Sequence, residues 1–71
     1  DAFTETHFRD ASGHAIRTAR WRCVEWGEGG QQGVELYDES ADPLEMKNLA
    51  SDPQYSQTLT QLRRRIRDHW N

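Results

Sequence analysis

The sequence predicts an α+β fold in which a small antiparallel β-sheet of about three to four strands is packed by a C-terminal amphipathic helix. Three observations predict it. β-branched and aromatic residues run between glycine-rich and polar breaks, which is typical of short strands joined by turns. Two Asp-Pro pairs follow, each suited to the start of a helix, and apolar residues then recur at helical spacing. The 71 residues make a single domain, with the sheet at about 2–38, a capped turn at about 42–50 and the helix at about 53–70.

The strands are placed by the breaks between them. A polar loop is expected over residues 7–13, ending at Gly13, which permits a positive φ. The glycine-rich residues 27–32 are expected to form a hairpin loop rather than a phosphate-binding loop, because they lead into a strand and not into a helix N-terminus. The expected strands are 2–6, 14–18, 20–26 and 34–37.

The helical region carries two predicted caps. Asp42 and Glu45 have the spacing of a D-x-x-E capping box at a short turn. Asp52 is suited to cap the last helix, with Pro53 at its first position. The apolar stripe of that helix is expected to pack across the sheet. Its members are Tyr55, Leu59, Leu62, Ile66 and Trp70.

Charge and composition exclude several classes of function. The net charge of −3 indicates no general attraction to nucleic acid or to an anionic membrane, and no apolar run has the length of a membrane span. Cys23 is the only cysteine, so the chain contains no internal disulfide. Arginines crowd residues 63–67 whereas acidic residues fill the middle of the chain, which favours internal pairing over an external polyanion site.

Four segments in order resemble the C-terminal end of a sulfatase. They are an I-R-T-x-R-aromatic-R hairpin at residues 15–22, a G-x-E-L-Y-D strand at 33–38, a D-P-x-E-x-x-N-L-A turn at 41–50 and the final helix. The resemblance covers nearly all residues from 13 to 66 and is strongest to the iduronate-2-sulfatase-like and choline-sulfatase-like branches.

The resemblance implies that this chain is a fragment of a larger α/β sulfatase. A protein of that family hydrolyses sulfate esters with a cysteine-derived formylglycine beside a calcium ion, and both groups lie upstream of this segment. The segment alone is therefore expected to be inactive and to hold no cofactor. Its expected roles are to complete the fold and to form a wall of the substrate pocket. The implied partners are the upstream catalytic domain and a sulfated small molecule or sugar, with no nucleic acid and no membrane. The resemblance implies a periplasmic, secreted or lysosomal parent protein, whereas the sequence itself indicates no compartment.

His7 and His14 are the candidate substrate-binding residues. They flank the loop that enters the hairpin, and the resemblance implies that this entry lies near the substrate mouth; from the residues alone, both are solvated loop histidines. Together with His69 they lack metal-ligand spacing. Cys23 is followed by Val-Glu-Trp and not by the C-x-P-x-R pattern of the sulfatase nucleophile, so it is interpreted as a small buried hydrophobe.

The remaining candidates have two interpretations each. The arginines of residues 17–22 could bind sulfate or hold carboxylates across strands, and the second use is favoured. Their candidate partners are Glu25, Glu35 and Asp38. Trp21 and Trp26 could stack on a sugar, although packing in a core or at a domain interface is favoured.

Two rival functions stay open at this point. In the first, the Arg-rich helix makes the chain a stand-alone interaction module for an acidic partner or nucleic acid. In the second, His14 and Glu25 serve a small self-contained hydrolase, which requires a formed pocket.

Overall fold

A computed structural model describes residues 1–70 and contains a four-stranded antiparallel sheet with one long helix. The strands lie side by side in chain order. After a single 3-10 turn at Pro53–Tyr55, the helix α1 runs over Ser56–Trp70. This architecture confirms the predicted α+β fold. The strands are β1 (Ala2–Phe8), β2 (Ala11–Arg17), β3 (Trp21–Trp26) and β4 (Gly33–Asp38).

The first hairpin is tighter than predicted. The expected loop over residues 7–13 is wrong, because β1 and β2 remain paired up to Phe8 and Ala11. The turn is made instead by Arg9, whose φ of 56° lies in the left-handed region, and the residue after it. Gly13 therefore lies inside β2. A Cβ there would come within 2.9 Å of the Trp26 ring, so this glycine is needed for close packing rather than for a turn.

The helix packs its predicted stripe onto one face of the sheet. Leu62 and Ile66 are buried, and Tyr55, Leu59 and Trp70 pack around them. Because these side chains share one side of the helix and of the turn that precedes it, burying them joins the helix to the sheet. The sheet and the loop before the helix complete this core with Ile16, Cys23, Leu36 and Leu49.

The start of the helix also follows the prediction. The Asp52 carboxylate accepts a hydrogen bond from the Gln54 backbone N–H at 3.0 Å, and Pro53 follows the cap directly. This bond satisfies one of the free N–H groups that open a helix. No helix among residues 1–70 is both long and apolar enough to cross a membrane.

The capping box predicted at Asp42 is wrong. The Asp42 carboxylate does close a turn, but it accepts from the backbone N–H groups of Met46 and Lys47 at 3.0 and 2.9 Å. Glu45 has a φ of 56° and reaches across to Arg22 instead of back to Asp42. The ion pair with the sheet therefore replaces the reciprocal bond of a capping box.

The same loop covers the outer edge of β4. Leu49 N–H donates to the Leu36 carbonyl at 2.8 Å, and the Asn48 side chain accepts from Leu36 N–H at 3.0 Å. The Asn48 amide also donates to the Val34 carbonyl at 3.2 Å. These bonds satisfy strand groups that would otherwise offer a template for pairing with another chain.

Candidate functional site

The sheet has two unlike faces. Alternation along the strands places Ile16, Cys23 and Leu36 on the face that packs against α1. The opposite face, called the open face below, is not part of that core. Its larger side chains are Thr4, Thr6, Phe8, Ala15, Arg17, Arg22, Val24, Trp26, Glu35 and Tyr37.

A cleft of about 500 Å³ lies at one end of the open face. Phe8, on its wall, has 62% of its surface exposed, whereas Trp26 is half-buried. An aromatic cleft with a few polar groups can receive either an apolar side chain of a partner or a sugar ring. The cleft is lined by Thr6, His7, Phe8, Ala11, Trp26, Gln32 and Glu35.

The carboxylate of Glu35, which lines this cleft, accepts hydrogen bonds from two uncharged side chains. Trp26 Nε1 donates to one carboxylate oxygen, and the Tyr37 hydroxyl donates to the other at 2.5 Å. Burial, together with the hydrogen bond to the Glu35 carboxylate, raises the pKa of Tyr37 to about 12. The phenol therefore stays protonated and orients Glu35 toward the open face.

The hairpin arginines pair with carboxylates, as predicted, but two of the three partners, Glu39 and Glu45, lie in the loop beyond β4 and were not predicted. Asp38 is the one partner correctly anticipated, and bonds from the Arg20 guanidinium and from Ser40 lower its pKa to about 2. Burial raises the pKa of Glu45, although its arginine partner opposes that shift. The pairs are Arg17–Glu39, Arg20–Asp38 and Arg22–Glu45, each at 3.0 Å.

His7 and His14 lie on the same hairpin but have different surroundings. His7 is exposed, and its Nδ1 lies 3.3 Å from the Ser12 hydroxyl. The His14 ring stacks on Trp70 at 4.0 Å between centroids, and its Nε2 lies 3.9 Å from the Glu5 carboxylate. Only His7 is free to turn toward a ligand without losing a ring contact.

The structure gives no catalytic pair of His14 and Glu25. The two residues face each other across β2 and β3, but Glu25 is 4% exposed and accepts hydrogen bonds from Arg63 and Arg67, at 2.5 and 3.5 Å. Both guanidinium groups donate to Oε2 of Glu25, and no hydrogen bond joins Glu25 to His14 in residues 1–70. Nothing in the described residues favours the self-contained hydrolase.

The arginine-rich helix is largely engaged within the chain. Arg63 donates to the Gly29 carbonyl at 3.1 Å as well as to Glu25, and Arg65 pairs with Asp1 at 2.5 Å. These contacts hold the glycine-rich loop and the N-terminus against α1. Nothing in the fold favours the rival interpretation as a stand-alone interaction module.

The residues present do not fit a formylglycine or a calcium site. Cys23 has no exposed surface, and burial raises the pKa of its thiol to about 12. Residues 1–70 contain no group of three His, Cys, Asp or Glu side chains placed to hold a metal ion. Cys23 therefore behaves as the small hydrophobe that was predicted.

The sequence interpretation missed the Glu35 cluster on the open face. Glu35 and Tyr37 alternate along β4, so they were predictable as neighbours on one face. Trp26 joins them only through the register that pairs β3 with β4. That register depends on the length of the loop between the strands, which residue types alone do not specify.

The described residues form a small antiparallel sheet closed by one helix, which is the architecture of an α+β subdomain. Residues 3–71 match the family model described as N-sulphoglucosamine sulphohydrolase, C-terminal. The chain belongs to this family of sulfatase C-terminal domains, which confirms the resemblance seen in the sequence.

Similar proteins agree with this assignment. The Delta 4,5-hexuronate-2-O-sulfatase of Bacteroides thetaiotaomicron is 38% identical over 93% of this chain, which spans 13% of that protein. Arylsulfatase K of Mus musculus is 33% identical over 80% of the chain and 10% of its own length. An ulvan-active sulfatase of Formosa agariphila is 38% identical over 66% of the chain and 8% of its own length.

A solved structure shares the fold. A crystal structure of a Bacteroides thetaiotaomicron protein assigned to the sulfatases superposes with a TM-score of 0.74 and 41% identity. It covers 83% of this chain, which spans 12% of that protein. The chain thus corresponds to a small part of each relative.

Proposed function

We propose that this chain is the C-terminal subdomain of a sulfatase and that the intact protein hydrolyses sulfate esters of sugars. The observation that carries the proposal is the family match over residues 3–71, together with relatives that are all sulfatases. Two of these relatives are named for a hexuronate and for ulvan, which supports a sulfated carbohydrate as substrate.

The subdomain completes the fold of the catalytic domain, and the open face is the surface that docks on it. Three large apolar side chains outside the core support this role, since a docked domain would remove them from water. Phe8 lies on the open face, and Leu44 and Met46 flank Glu45, which is anchored to that face by Arg22. The exposed fractions of Leu44 and Met46 are 81% and 82%.

His7 and His14 form one wall of the substrate pocket in this proposal. The exposure of His7 supports a direct contact with sulfate or a sugar hydroxyl. His14 contributes through its stack on Trp70, which holds the hairpin against the helix. The formylglycine and the calcium ion belong to the catalytic domain, because Cys23 and the acidic residues here do not fit them.

The test compares the intact protein with the excised chain on a generic aryl sulfate and on sulfated disaccharides. The intact protein is expected to hydrolyse a sulfated disaccharide, whereas the excised chain is inactive with or without calcium. Turnover that copurifies with the excised 71 residues would contradict the proposal.

The histidine contact has its own test. His7→Ala is expected to raise KM about fivefold with kcat unchanged, the effect of losing one hydrogen bond of about 1 kcal/mol. Gln57→Ala, an exposed change on α1, serves as the control. Equal KM values for both variants would remove His7 from the pocket wall.

A further inference from the structure

We infer that Glu35 is a docking receptor for a cationic side chain, a guanidinium or an ammonium group, presented by the catalytic domain to the open face. The inference rests on the proposed function, because it takes that domain as the occupant of the face. It names a contact and a charge that the proposed function leaves open.

The charges on the open face are not balanced. The strands place three charged side chains there, and two of them, Arg17 and Arg22, pair with Glu39 and Glu45 at 3.0 Å. Glu35 is the third, and among residues 1–70 no cation lies within 4 Å of it. The face therefore carries one uncompensated negative charge.

The Glu35 carboxylate is held in one orientation by its neighbours. Trp26 and Tyr37 donate one hydrogen bond to each oxygen of Glu35, so the carboxylate is fixed before any partner arrives. Each oxygen can accept a further bond. Arg9, the cation of the adjacent turn, lies over the Phe8 ring at 5.3 Å instead. A carboxylate held in one orientation matches the fork of a guanidinium group well.

Covering the open face would carry a desolvation penalty at Glu35. Glu35 is already half-buried beside buried Val24 and Tyr37. Docking removes the remaining water, and a carboxylate desolvated without a counter-charge is strongly unfavourable. Since this chain spans only 10 to 13% of these relatives, a large domain is available to cover the face. That domain must therefore supply a cation at Glu35.

A structure of the intact protein tests the contact directly. The expected result is an Arg or Lys nitrogen of the catalytic domain within 4 Å of a Glu35 oxygen. An open face exposed to solvent, a neutral side chain against Glu35, or a sugar hydroxyl bound to Glu35 in place of a cation would each overturn the inference.

Hydrogen exchange of the intact protein tests the energetics. Glu35→Gln retains the shape and an acceptor but leaves the opposing cation unpaired, so exchange of the β3 and β4 amides should rise by roughly 100-fold, as expected when a buried pair is broken. Glu28→Gln removes the same charge from an exposed loop position and should change nothing. Equal exchange in the two variants would overturn the inference.

Trp26→Phe separates charge from local hydrogen bonding. It removes one donor to Glu35 and keeps the carboxylate, so its effect should be smaller than that of Glu35→Gln. An equal effect would show that Glu35 acts only within its own cluster. Sulfatase turnover of the wild-type protein is read independently: an inactive protein with a paired Glu35 would refute the proposed function and leave this contact standing.

Discussion

The two faces of the sheet differ in the partners of their carboxylates. On the face under α1, each buried carboxylate has its cation within the chain, since Glu25 pairs with Arg63 and Asp38 pairs with Arg20. On the open face, Glu35 is held only by neutral donors. This contrast supports our proposal that the helix side is complete by itself and that another domain completes the open face.

Two leucine variants, one buried under the helix and one exposed, test the helix side, and the buried one should lose the most stability of all the variants proposed. Leu62→Ala should lower the free energy of unfolding by about 2 to 5 kcal/mol, because Leu62 is 5% exposed in the core. That loss is large compared with the stability of a small domain. Leu44→Ala is the control, since the Leu44 side chain is exposed and should lose less than about 0.5 kcal/mol in the excised chain. Equal urea midpoints for the two variants would contradict the packing of α1.

Replacing the arginine of the buried ion pair under the helix should cause the next largest loss of stability. Arg63→Met should cost about 3 kcal/mol, because it leaves Glu25 buried with only the longer contact to Arg67. Arg64→Met changes an exposed neighbour and should stay within about 0.5 kcal/mol of wild type. Chemical unfolding measures both. A similar loss in both variants would mean that the helix surface charge matters and the pair does not.

Replacing one tryptophan on each face should cause a smaller loss of stability, and the comparison distinguishes the two faces. Trp21 lies on the helix side, edge-on to Tyr55 at 5.8 Å between centroids, so Trp21→Ala should cost about 2 kcal/mol in the excised chain and in the intact protein alike. Trp26 lies on the open face, and Trp26→Ala should cost more in the intact protein. Thermal unfolding of both forms checks this. If Trp26→Ala costs the same in both, the open face is not a docking surface.

The smallest effect concerns pH. Asp38 has a pKa of about 2 in the fold against an ordinary 3.8, because Arg20 and Ser40 stabilise its ionised form. A lowered pKa in the folded state contributes stability that is complete above about pH 4 and is lost as the pH falls toward 2. Asp38→Asn should flatten the stability profile in that window and leave its shape above pH 5 unchanged. A profile for Asp38→Asn that keeps the wild-type slope between pH 4 and 2 would contradict the assignment.

Local patterns were predicted well and non-local partners poorly. The helix stripe followed from spacing, and the cap at Asp52 followed from two adjacent residues. The partners of Glu25 and Glu35 did not follow, since Arg63 lies 38 residues from Glu25 and Trp26 reaches Glu35 only across a strand pair. The predicted loop over residues 7–13 failed because strand pairing outweighed the polar character of its residues.

The α+β class, the helix with its buried stripe and the sulfatase family follow from the residue pattern alone, because periodicity, caps and ordered motifs are properties of neighbouring residues. The identity of the open face, the need for glycine at position 13 and the carboxylate without a cation are visible only in the folded chain. Those properties depend on register and on contacts between distant segments. Cross-strand geometry brings Gly13 under the Trp26 ring and leaves Glu35 without a counter-charge on the open face.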